Sequence, residues 1–232
     1  MAEADSTTSW ELFYWPIAGR GEFVRVIFEE AGVPFKEHND FEMLVSMFKK
    51  GKKEGWPCLA PPMLKRGDFN LTQTPVICKY LGKQFGFYPE GDLNEVHAEQ
   101  INATIHDYIL EGMLSFHGKD FIGSYNDQKE ETKPYIKAFV DRRLPMFLRH
   151  FEKLMISNNG GDGFVVGDKL TYVDLGLMHA LRATASQFPE EWKQLDGIPK
   201  LRAFKDRMEA RPRLASYFKS DRCKPFEGNS MM

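Results

Sequence analysis

The sequence predicts an α/β segment followed by an all-helical one, and three observations carry that prediction. An apolar, aromatic-rich run at residues 10–16 passes through a turn holding Gly19 and Gly21 into an amphipathic stretch. Two short apolar runs flank a glycine-containing turn at 66–68, the pattern of a hairpin. Beyond residue 92 the apolar residues recur only at helical spacing.

Taken in order, residues 10–16 read as a strand and 21–31 as a helix, with Phe23, Val26, Ile27 and Ala31 on one face and Gly32 as the stop. A second strand is expected near 33–38. The basic stretch FKKGKKEGWP at 48–57 reads as a loop. Residues 62–65 and 69–71 form the hairpin. Thr74 suits an N-cap and Pro75 the first helical position, so a helix opens there and closes near Gly86. YPEGD at 88–92 reads as a linker, which sets an α/β unit over 10–87 and a helical unit over 94–225.

In the second unit Ile101, Ile105, Tyr108, Ile109 and Met113 make one apolar stripe. Ile136, Phe139, Val140, Leu144, Phe147, Leu148 and Phe151 make another, and Pro145 predicts a kink within it. The glycine-rich stretch 158–163 breaks the pattern. Thr171 and Asp174 then form a capping box ahead of an apolar helix, with Asp in place of the usual Glu or Gln. No internal repeat is evident.

The 232 residues carry 31 Lys and Arg against 33 Asp and Glu, so no strong field favours nucleic acid or an anionic membrane. The N-terminal stretch is polar and acidic, unlike a secretory signal, and no apolar run reaches membrane-spanning length. Cys58, Cys78 and Cys223 are odd in number and lack metal-like spacing, which points to a reducing, cytoplasmic setting. The sequons at Asn70 and Asn102 then carry no consequence.

The strand–turn–helix at the start delivers two things to one place: the unpaired N–H donors and partial positive charge of a helix N-terminus, and the Tyr14 hydroxyl. Together they suit an anion, a thiolate among the candidates. Gly19, Gly21 and Asp40 imitate a dinucleotide fingerprint, but Val24 stands where its third glycine belongs, and a hairpin follows instead of a parallel strand. His106 and His117 are three helical turns apart, too far for one metal. No Ser–His–Asp order or paired-carboxylate motif stands out.

Tyr14, Pro62 and Gln73-Thr74 stand in compatible order, and YWPIAGRGE at 14–22 and NNGGDGFVVGDKLTYVDL at 158–175 accompany them. The combination resembles the cytosolic glutathione transferases of the tyrosine type, nearest the sigma class, over nearly the whole chain after about residue 11. The resemblance implies a thioredoxin-like, glutathione-binding domain over 10–87 and a helical domain over 94–225 contributing the acceptor pocket. It makes Tyr14 the catalytic residue, whose hydroxyl stabilises the thiolate of glutathione. Gln73 and Thr74 would hold the γ-glutamyl group, and Pro62 would be the family's cis-proline. The residue before it, Pro61, departs from the pattern: it offers the cysteinyl peptide a carbonyl but no N–H. Lys52, then Lys53, are the choices for the glycyl carboxylate, with Lys49 and Lys50 in competition and Trp56 or Phe48 as a wall. Arg20 corresponds to an arginine near the thiol site, or else pairs with Glu22. Asp107 would reach the glutathione of a second protomer in a homodimer. Trp15, Ile17, Tyr108, Met113 and Phe116 would line a pocket for an apolar electrophile. No metal is implied, and no cysteine occupies the Tyr14 turn, unlike the thiol-transferase branches. A lipid isomerase or peroxidase, and a non-catalytic carrier or crystallin, remain the alternatives.

Overall fold

The computed structural model describes residues 9–49 and 56–226. Four strands, β1 (Trp10–Phe13), β2 (Phe35–His38), β3 (Met63–Arg66) and β4 (Phe69–Thr72), form one sheet in the order β2-β1-β3-β4. β1 and β2 run parallel and need a crossover, which α1 (Gly19–Ala31) supplies. β3 and β4 are antiparallel and joined by the two-residue turn at Gly67 and Asp68. α2 (Phe41–Lys49) and α3 (Thr74–Phe85) complete this part. Then come α4 (Asp92–Ser115), α5 (Lys129–Ala138), α6 (Leu144–Ser157), α7 (Tyr172–Gln187), α8 (Pro189–Gln194), α9 (Pro199–Glu209) and α10 (Pro212–Phe218). The expected order of a small α/β sheet and a larger helical region is the order found.

Strand alternation divides the core. Trp10, Leu12 and Tyr14 face α1, α3 and the helical region, in a cluster that continues through α4, α6, α7 and α9. Phe13 and Met63 face the other way and pack with Leu44 of α2. α1 lies between the sheet and the helices, so every residue from Gly21 to Phe28 is buried. The expected four-residue apolar face therefore understates its burial.

Several boundaries move. β1 ends at Phe13, although the Tyr14 N–H still donates to the His38 carbonyl at 3.1 Å. α1 begins two residues early, at Gly19, and ends as expected with Gly32 in the left-handed region. α2 had no counterpart in the residue-by-residue reading. Its signals are short but present: Asp40 caps the Met43 N–H at 2.7 Å, and Leu44, Met47 and Phe48 fall at helical spacing. Thr74 is not the N-cap of α3. Gln73 takes that place at φ 71°, ψ 101°, and its carbonyl accepts the Val76 and Ile77 N–H groups. Pro145, lacking an N–H, follows a π-helical turn over Phe139–Arg143, which is how the chain widens at the expected kink.

The capping box forms as expected. One Asp174 oxygen accepts the Thr171 N–H and hydroxyl, each at 2.7 Å, and the other accepts the Val165 N–H at 2.7 Å. Burial raises its carboxyl from 3.8 to about 6, against the pull of these bonds. The folded state holds this proton more tightly than the unfolded chain, so the residue's contribution to stability falls as pH rises from about 4 to about 6. Asp174→Asn should remove that part of the slope in urea titrations across the range, and Asp174→Ala should cost about 2–4 kcal/mol. Wild-type slope and midpoint in both variants would contradict the assignment.

Candidate active site

Register brings distant residues together. Phe13 of β1 pairs with Met63 of β3, and Met63 pairs with Thr72 of β4. Just beyond this row stand Tyr14, which follows Phe13, Pro62, which precedes Met63, and Gln73, which follows Thr72. Neighbouring strands are about 4.8 Å apart, so the three positions span roughly 10 Å. That is about the length of three extended residues. The Pro61–Pro62 peptide bond is cis, and Pro62 is buried.

Tyr14 is 3% exposed, and its ring folds back beneath the first turn of α1. Its hydroxyl oxygen accepts the Arg20 N–H at 2.8 Å. A Cβ on Gly19 would meet that oxygen at 2.4 Å, and one on Gly21 would meet ring Cδ1 at 2.4 Å. The two glycines that imitate a nucleotide motif thus make room for the ring. Burial raises the Tyr14 pKa, while the Arg20 N–H and the charges of Arg20 and Arg25 oppose it. The phenol is therefore a neutral donor at pH 7, and the amide bond at its oxygen polarises it further. Arg20 is half-buried, and among the described residues it forms no ion pair.

The expected alternative for Arg20, an ion pair with Glu22, does not form, because Glu22 belongs to Arg25. Arg25 is 1% exposed. Its Nη1 donates to the carbonyls of Ile17 and Ala18, each at 3.0 Å, and to Glu22 at 3.1 Å. Nη2 donates to Glu37 on β2 at 2.5 Å and to the Trp15 carbonyl at 3.4 Å, and Nε to Glu37 at 2.9 Å. Glu22 also accepts the Tyr217 hydroxyl of α10 at 3.1 Å. A second tie comes from α7, where His179 Nε2 lies 3.1 Å from the Gly19 carbonyl. His106 of α4 is buried with both ring nitrogens unpartnered, and burial holds it neutral, at about 3. Sequence reasoning missed Arg25, although an arginine inside the apolar run 23–28 was a signal.

A cavity of about 610 Å³ lies behind this network, between the end of α1, β2 and the chain after α10. It includes Arg25 and Glu37 but none of Tyr14, Pro62 or Gln73.

The profile described as "Glutathione S-transferase, C-terminal domain" matches residues 117–221. Glutathione S-transferase 2 of Onchocerca volvulus is 30% identical over 227 residues, covering 95% of this chain and 98% of its own length. The chain belongs to the glutathione S-transferase family. S-crystallin 2 of Octopus vulgaris is 29% identical, over 91% of this chain and 96% of its own. The solved structure of the Onchocerca volvulus Pi-class glutathione S-transferase superposes with a TM-score of 0.75 at 20% identity, over 94% of this chain and all of that one. The likeness bears out the expected fold, a thioredoxin-like N-terminal domain followed by a helical one.

Within this glutathione S-transferase the expected site residues separate into groups. Gln73 is exposed at the sheet edge in a backbone region that costs a side-chain-bearing residue about 1–3 kcal/mol. Thr74 is buried beside it. Asp107 is exposed on α4. Trp15, Ile17 and Met113 are half-buried, and Trp15 packs on Phe41 with ring centroids 5.3 Å apart. Two pocket expectations fail. Tyr108 is fully buried among Phe139, Phe147 and Phe151, its hydroxyl 2.6 Å from Thr184. Phe116 packs on Tyr125 and Phe188. Both are core residues, with no surface to offer an acceptor. Lys50, Lys52 and Lys53 lie outside the described residues, Lys49 ends α2, and Trp56 is exposed. Among the described residues no three His, Cys, Asp or Glu side chains group as metal ligands.

If Gly21 exists to seat the Tyr14 ring, Gly21→Ala should lower stability by about 1–3 kcal/mol. Thermal unfolding measures this, and a wild-type midpoint would contradict the packing argument.

Proposed function

We propose that this glutathione S-transferase joins the sulfur of glutathione to an electrophilic carbon of a small apolar compound, with Tyr14 holding the thiolate. One observation carries the reading: Tyr14, Pro62 and Gln73 converge at one sheet edge, with the Tyr14 hydroxyl polarised by the α1 N-terminus. Residues 10–87 bind glutathione, and residues 94–225 contribute the acceptor side.

The cosubstrate supplies the nucleophile, so the protein needs only to stabilise its ionised form. The neutral Tyr14 hydroxyl donates to the thiolate and lowers the thiol pKa from about 8.5. The half-buried Arg20 adds positive charge beside it. The thiolate then attacks carbon, forming a C–S bond as the leaving group departs with its electron pair. Gln73 and Thr74, at the N-terminus of α3, hold the γ-glutamyl carboxylate. The Pro61 carbonyl accepts the cysteinyl N–H. Lys52 or Lys53 receives the glycyl carboxylate, and Trp15, Ile17 and Met113 border the acceptor. The chemistry needs no metal.

The protein acts as a homodimer in the cytoplasm, of the tyrosine type and sigma-like. Leu93, Val96, Asp107 and Leu110 share an exposed stripe of α4, with Val76 exposed on α3. An apolar stripe of this kind suits a second protomer, and Asp107 would then face the ammonium of that protomer's glutathione. A non-catalytic reading draws on one feature, the N–H missing at Pro61.

Retention on immobilised glutathione and conjugation to an aryl halide separate these readings; binding without turnover favours the carrier. Tyr14→Phe should keep binding and lower kcat roughly a hundredfold. Unchanged turnover would remove the hydroxyl from the mechanism. Sedimentation should give twice the 26.8 kDa chain mass, and Asp107→Ala should raise KM for glutathione with little change in kcat. A monomer at assay concentration would take Asp107 out of the site.

A further inference from the structure

Thiolate stabilisation by Tyr14 does not itself require a buried cation behind the turn. Yet Arg25 holds the carbonyls of Trp15, Ile17 and Ala18, three of the four residues between Tyr14 and Gly19. That turn sets two directions at once: how the Tyr14 ring leaves β1, and where the Arg20 N–H stands at the start of α1. The 2.8 Å bond between them closes across the turn, so its geometry is the geometry of the turn. The guanidinium is in turn fixed by Glu37 of β2 and by Glu22, and Glu22 is held by Tyr217 of α10. Arg182 of α7 approaches the other Glu22 oxygen at 3.9 Å.

We propose that Arg25 is a positioning residue for thiolate formation, and that Tyr217 acts with it through Glu22, so that the helical region sets the Tyr14 geometry. The inference rests on the reading of Tyr14 given above. A planar fork with five donors can hold three carbonyls and two carboxylates together, whereas an ammonium cannot. Displacing the turn by a fraction of an ångström would misaim the hydroxyl without touching the residues that bind the ends of glutathione.

Four variants test this: Arg25→Lys, Glu37→Gln, Tyr217→Phe and, as reference, Tyr14→Phe. For each, the apparent pKa of bound glutathione is read from ultraviolet thiolate absorbance across pH, beside kcat, KM for glutathione and the thermal midpoint. Arg25→Lys should raise the bound-thiol pKa by about one unit, a tenfold loss of thiolate at pH values below it. KM for glutathione should stay within about threefold of wild type. Tyr217→Phe should shift the pKa the same way by less. A folded Arg25→Lys with the wild-type thiol pKa overturns the proposal, whatever its activity. If Arg25→Lys does not fold, the other two decide: an upward shift in either supports it, and wild-type pKa values in both overturn it. Should Tyr14→Phe itself bind glutathione with an unmoved thiol pKa, the role of Tyr14 fails and this proposal with it. If Tyr14→Phe moves the pKa and the Arg25 and Tyr217 variants do not, only the present proposal fails.

Discussion

Taking a guanidinium out of water is costly unless its charge is met and its donors find acceptors. Arg25 meets both conditions by drawing three segments of chain to itself: the 15–18 turn, the end of β2 and the first turn of α1. Two carboxylates on one cation would leave excess negative charge, and burial does raise the Glu22 pKa, opposed by Arg25 and Arg182. The Tyr217 hydroxyl and Arg182 complete the set from α10 and α7. The interaction therefore joins the sheet to the helices at the point where the chain turns from Tyr14 into α1. Removing one member would strand the others in the interior, so the network behaves as a unit.

How far the site could be read from the chain follows from the range of the forces involved. Tyr14, Pro62 and Gln73 were legible through the family resemblance, and the fold gives the physical reason they meet: the β3–β4 hairpin sets Pro62 beside Gln73, and β1 pairing with β3 brings Tyr14 next to them. Gly19 and Gly21 read as turn glycines whose likeness to a nucleotide fingerprint Val24 rules out, and the fold adds that the space they leave serves an aromatic ring. Arg25 escaped because its partners lie 12 residues away at Glu37 and, through Glu22, 195 residues from that carboxylate at Tyr217. Periodicity separated buried from exposed positions on α4 but could not say what the buried side faces. Tyr108 and Phe116 therefore passed for pocket walls when they are core. The α2 helix was hidden by the lysine- and glycine-rich stretch that follows it.

In the proposed mechanism, catalysis rests on preorganisation more than on reactive side chains. A phenol kept neutral by burial, an amide aimed at its oxygen and a half-buried arginine make a fixed environment for one developing charge. The strained backbone at Gln73 and the doubled proline at 61–62 lie at the same edge, where the proposal puts the groups that recognise glutathione. With Pro61 offering only a carbonyl, affinity for the cosubstrate would rest more on its two ends than on its central peptide.

A crystal structure with glutathione bound tests the central claim most directly. The glutathione sulfur should lie within hydrogen-bonding reach of the Tyr14 hydroxyl, with the Pro61 carbonyl accepting the cysteinyl N–H and the γ-glutamyl carboxylate at Gln73 and Thr74. A tripeptide lying elsewhere, or bound along this edge with its sulfur turned away from Tyr14, would contradict it.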